Sequence, residues 1–218
     1  MLIIAETPLF FHATMAIAIH TKGPIMQKWS FNFRLWHWIN ALVVMGLIGT
    51  VLLRKSFLSW RTNSEIIIRK LAEQGIDIVA EEAKVVAKAI RGPMWEWHII
   101  LGYVLAALVV WRILLFFTRS GKQNYRHLRQ ENFHKKMVKL GYLLIYASLL
   151  FMAVSGLVIH FYEALGLSKD TAHDIKEVHE LVYQVLLYFV PLHILGVFVA
   201  ENKDEPGILS TMVNGGKQ

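Results

Sequence analysis

The chain has 218 residues, of which 55% are hydrophobic and only 18% charged, a balance too apolar for an ordinary soluble domain and expected of a membrane protein. Its formal net charge is +7, but the Lys and Arg residues fall between apolar runs rather than along one stripe, so they mark topology and argue against nucleic acid as a partner. The absence of cysteine excludes disulfides, thiolate-held metals, iron-sulfur clusters and covalent c-type haem, which leaves ten histidines as the richest supply of metal ligands.

Residues 1–27 are moderately apolar yet have no positive n-region and contain Glu6 and Pro8, so they do not read as a signal peptide. They are expected to form a surface helix or to reflect an upstream start, with Met26 as the alternative first residue. The unit that follows, 28–218, carries four runs long enough to cross a hydrocarbon core of roughly 20 residues: TM1 31–53, TM2 95–117, TM3 137–160 and TM4 178–200. Arg54 and Lys55 close the first, Gly92 and Pro93 precede the second, and Arg119 to Lys122 follow it. Between TM1 and TM2, residues 62–92 show apolar residues at helical spacing, a candidate cap at Thr62 or Asn63 and a break near Gly75. This predicts one or two amphipathic helices on the outer surface, either a lid over the bundle end or a docking platform. Pro191, inside TM4, is tolerable where a bound group sits beside the helix. The predicted fold class is an all-α integral membrane four-helix bundle with an extra helical loop.

Charge sets the orientation. Residues 118–136 carry Arg119, Lys122, Arg126, Arg129, Lys135 and Lys136 against Glu131 alone, whereas the TM3–TM4 loop is rich in acids. The positive-inside rule places the former in the cytoplasm, and with it both termini of a multi-pass membrane protein.

Five histidines lie in or at the ends of the spans: His37, His98, His160, His179 and His193. His179 and His193 are 14 residues apart, which puts them on nearly one face of TM4 and about 21 Å apart along its axis. With alternating helix directions, His37 matches the depth of His193 near the cytoplasmic side and His98 that of His179 near the outer side. Two pairs at two levels, sharing one helix, suit two stacked bis-histidine haems, since each iron takes one imidazole on each face of a flat macrocycle. Gly46, Gly49, Gly102, Gly141, Gly156 and Gly196 offer either room for a porphyrin or close helix packing. Arg34 and Arg112 are candidates to pair with haem propionates, with snorkelling to lipid phosphate as the alternative. Trp36, Trp38, Trp95 and Trp97 read as an interfacial belt. His160 and His134 lie near opposite faces, as interfacial side chains or as linings of quinone pockets.

The segments "RLWHWINALVV", "MWEWHIILGYVLAALVVWR", "HELVYQVLLYFVPLHILGV" and "ENKDEPGILSTMVNGG" together resemble the bacterial di-haem b-type cytochromes of the prokaryotic cytochrome b561 and nickel-hydrogenase cytochrome b superfamily, over about residues 28–217. The resemblance implies four transmembrane helices and two non-covalent haem b groups, with electrons passing between a membrane quinone and a partner protein or small oxidant. It also implies His37, His98, His179 and His193 as iron ligands, paired His37–His193 and His98–His179. The N-terminal extension and the long first outer loop set this chain apart from the smallest quinol-oxidising members.

The leading expectation is transmembrane electron transfer between the quinone pool and a periplasmic or membrane-associated redox protein. A stand-alone quinone oxidoreductase acting on a diffusible oxidant such as superoxide is the alternative within this class. A small proton or metal transporter is the alternative from another, although Glu96 and Glu180 are the only carboxylates within the spans and lie near their ends.

Overall fold

The computed structural model describes residues 29–117, 133–203 and 206–215. The N-terminal extension 1–27 and most of the basic loop lie outside the described residues. Those described form helices α1 (Phe31–Lys55), α2 (Trp60–Ala72), α3 (Ala80–Ile90), α4 (Gly92–Phe117), α5 (Phe133–His160), α6 (Lys169–Asn202) and α7 (Ile208–Val213). Four of them, α1, α4, α5 and α6, are long and apolar enough to cross a membrane. Their outward faces carry large apolar side chains such as Leu42 at 73% and Phe198 at 66% exposure, which water would not tolerate in such numbers but lipid does.

Local chemistry explains the ends. Ser30 caps α1, its Oγ accepting from the Phe33 backbone N–H at 3.3 Å. The first turn of α4 contains Pro93, whose missing N–H is an unpaired group at a helix start in any case. Ser168 accepts from the Thr171 N–H at 3.1 Å and starts α6 nine residues ahead of the apolar window that begins at Val178. The outer loop forms the two amphipathic helices α2 and α3, packed on each other across the buried Ser64, Ala83 and Ala87. There α2 begins at Trp60 after Ser59, ahead of the expected cap at Thr62 or Asn63; the Asn63 amide instead donates to the Phe57 carbonyl at 3.1 Å.

The spanning helices pack in chain order, α1 on α4, α4 on α5 and α5 on α6. Their shared core includes Trp36, Val44 and Ile48 of α1, Leu105 and Leu108 of α4, Leu149 of α5 and Leu186 of α6. Among the described residues, α1–α6 and α4–α6 are not closely packed pairs. The first of these open seams is where His37 and His193 face one another. Short α7 folds back to pack on α6. Its entry at Gly207 has φ +90°, a left-handed conformation that glycine adopts without strain.

Candidate functional site

With inner and outer named from the charge pattern alone, His37 of α1 and His193 of α6 form the inner level and face each other across the first open seam, with ring centres 6.3 Å apart. Two metal–nitrogen bonds of about 2 Å, plus roughly 1.1 Å from each nitrogen to its ring centre, sum to about 6.2 Å. The pair is therefore spaced to bind one iron between the rings. His193 stacks on Phe189 at 5.5 Å with a 12° tilt, and Trp38 meets His37 edge-on at 5.4 Å. Ring packing thus fixes the inner imidazoles.

At the outer level His98 of α4 and His179 of α6 lie within electrostatic reach of each other. Hydroxyls on the other two helices hold them. Thr50 Oγ1 of α1 is 2.7 Å from His98 Nδ1, and Ser155 Oγ of α5 is 2.7 Å from His179 Nδ1. Each hydroxyl already donates its proton to its own helix, Thr50 to the Leu47 carbonyl at 2.7 Å and Ser155 to the Phe151 carbonyl at 2.6 Å. With its proton given to that carbonyl, each hydroxyl offers the imidazole a lone pair, which favours the tautomer with the proton on Nδ1 and Nε2 as the free base. That is the form in which histidine binds a metal. Arg54, at the end of α1, pairs with Glu180 at 3.6 Å and borders this level.

Among the described residues, no cluster of three or more His, Asp or Glu could hold a bare ion. Two imidazoles per level suit instead a macrocycle that brings four nitrogens of its own. The glycines divide between the two roles foreseen for them. A Cβ at Gly46 would sit 2.9 Å from Leu101 Cδ1, so Gly46 serves close packing of α1 on α4, whereas a Cβ at Gly49, Gly102, Gly141 or Gly196 would meet nothing within 4 Å. A Cβ at Gly156 would lie in ordinary contact at 3.6 Å from His179 Cε1, so a side chain larger than alanine there would press on the imidazole. Open seams, ring spacing, a free Nε2 and the space at these glycines all fit haem.

Arg34 and Arg112 both have protein partners, and each keeps a buried Nε without one. Arg34 Nη1 donates to the Val213 carbonyl at 2.9 Å, and Trp38 Nε1 to the Met212 carbonyl at 3.2 Å, so both bind the end of α7. Glu201 secures its start, accepting from the Gly207 and Leu209 N–H groups at 3.0 and 2.8 Å. The C-terminal segment thereby clasps α1 to α6 at the end of the seam that holds the inner pair. Arg112 lies among the rings of Phe33, Trp36 and Tyr146 at 5.4, 5.5 and 4.8 Å, with its Nη2 3.5 Å from the Tyr146 hydroxyl. His160 packs edge-on to Tyr103 and Phe161 at the outer end of α5, and His134 falls in the first turn of α5.

Thr50 and Ser155 escape a sequence reading because they look like ordinary small polar residues in apolar spans. Thr50 lies 13 residues after His37, close to the 14-residue step between His179 and His193, and that spacing is the one signal pointing to it. The tryptophans carry more than an interfacial role. Trp36 is buried at 3% exposure and donates to the Leu108 carbonyl at 2.8 Å, and Trp95 meets His98 edge-on at 5.5 Å. Trp97 and Trp38, at 62% and 42% exposure, are the two of the four that stay exposed, as interfacial residues should be.

Searches of curated proteins and of solved structures return no match. The family model described as prokaryotic cytochrome b561 matches residues 28–215, a range that contains all four spanning helices and both histidine pairs. With that match over most of its length, the chain belongs to the prokaryotic cytochrome b561 family, membrane proteins of transmembrane electron transfer by haem b.

Proposed function

We propose that this protein transfers electrons between a membrane quinone pool and a periplasmic redox partner across the bacterial cytoplasmic membrane, holding one haem b between His37 and His193 and a second between His98 and His179. The observation that carries this reading is that His37 and His193 face each other across the α1–α6 seam while His98 and His179 lie within electrostatic reach of each other at a second depth on α6. Haem b, when bound, supplies a one-electron carrier. Two imidazoles per level would hold the iron and leave it no open position, so the residues suit electron transfer rather than binding of oxygen. Helix α6 sets the two levels about 21 Å apart between histidine positions, and the apolar walls of α1, α4 and α5 exclude water between them. Turnover then belongs to a quinone pocket or a partner surface.

The α2–α3 hairpin supports a partner protein over a diffusible oxidant. It projects at the end of the bundle that bears His98 and exposes Val79, Val86 and Ile90, a surface more extended than a small molecule needs. The test is anaerobic mixing of the detergent-purified protein with a short-chain quinol. Appearance of reduced b-type absorption bands is expected; reduction by dithionite but not by the quinol contradicts the quinone assignment.

A further inference from the structure

All four spanning helices converge on the outer histidine pair, two with ligands and two with hydroxyls. Thr50 is 8% and Ser155 4% exposed, so water does not compete for their contacts with His98 and His179. Each hydroxyl has a carbonyl three or four residues back on its own helix to donate to, and in donating there it turns a lone pair toward the ring. Both contacts are short at 2.7 Å, and both come from helices that supply no ligand at that level. Among the described residues, no hydrogen bond of this kind reaches the ring nitrogens of His37 or His193. The support is specific to one level.

We propose that Thr50 and Ser155 are positioning residues for the outer haem: by accepting the Nδ1–H of His98 and His179 they present Nε2 to the iron and hold that haem's midpoint potential lower than unpartnered histidines would. The inference rests on the two-haem ligand set proposed above. An imidazole whose Nδ1–H is drawn toward an acceptor is a more basic ligand at Nε2. A more basic ligand favours the oxidised, more positively charged iron, which lowers the potential. Rotation of each ring about its Cβ–Cγ bond is limited by the same hydrogen bond, so the hydroxyls also fix the ligand plane.

Spectroelectrochemical titration of the full-length protein in detergent, with paramagnetic resonance of the oxidised form, tests this. Thr50→Val keeps the shape and removes the acceptor, and Ser155→Ala does the same on the other side. Each is expected to raise the midpoint potential of one b-type component and change its low-spin g values, leaving the second component in place. Thr50→Ser and Ser155→Thr are expected to restore wild-type values. The proposal is overturned if Thr50→Val and Ser155→Ala keep full haem content and shift neither component, or shift both alike. If either variant sheds haem, the retained-hydroxyl variants decide: they must restore occupancy and potential, and their failure to do so overturns it. A wild-type protein with a single haem component contradicts the ligand set itself, a result distinct from two components that ignore the hydroxyls.

Discussion

The outer and inner histidine levels share one helix and one kind of side chain but are built differently. At the outer level, hydroxyls from α1 and α5 hold His98 and His179 through Nδ1. At the inner level, Phe189 and Trp38 pack against the rings, and the α7 clasp closes the seam end through Arg34 and Trp38. A hydrogen bond fixes both the ring plane and the tautomer, while ring stacking fixes the plane alone. A single four-helix frame can therefore present two similar ligand pairs with different electronic surroundings, which is what two carriers in series require if they are to differ in potential.

The sharpest way to separate the levels is steric. Gly156→Leu places a branched side chain against His179 Cε1, where even a Cβ would come to 3.6 Å. Haem content should fall from about two to about one per chain, with the inner component kept; equal loss of both would show that the levels are not independent. Removal of residues 207–218 takes away the clasp, and it should change the midpoint potential and reductant accessibility of the inner component only, as read in a redox titration. Arg34→Ala removes one charge-assisted hydrogen bond, worth about 1 kcal/mol at this exposed position, and should lower the unfolding midpoint by roughly 2–4 °C in a thermal scan with both haems retained. The smallest effect is expected from Phe189→Leu, which replaces the ring stacked on His193; it should alter the low-spin g values of the inner component without loss of haem.

Much of this frame is legible from the residues. Apolar length locates the four spans, and the step from His179 to His193, set beside the depths of His37 and His98, brings out both pairs. What hydropathy misses is the polar start of α6: the segment from Lys169 to Glu177 has no apolar window, and its helix is signalled by the Ser168 cap. The fates of Arg34 and Arg112 were not legible either, because each cation's partner is decided by tertiary packing, Arg34 by the return of α7 and Arg112 by aromatic rings on two neighbouring helices. Gly46 and Gly49 look alike in sequence, and only the position of Leu101 separates a packing glycine from one facing open space.

The central claim is that two haems sit between these particular histidines, and haem stoichiometry in single-alanine variants tests it most directly. A pyridine haemochrome assay on the purified protein should give about two b-type haems per chain. His37→Ala and His193→Ala should each remove one and the same spectral component, and His98→Ala and His179→Ala the other. Absence of b-type haem, or a grouping of the four variants other than these two pairs, would contradict the account.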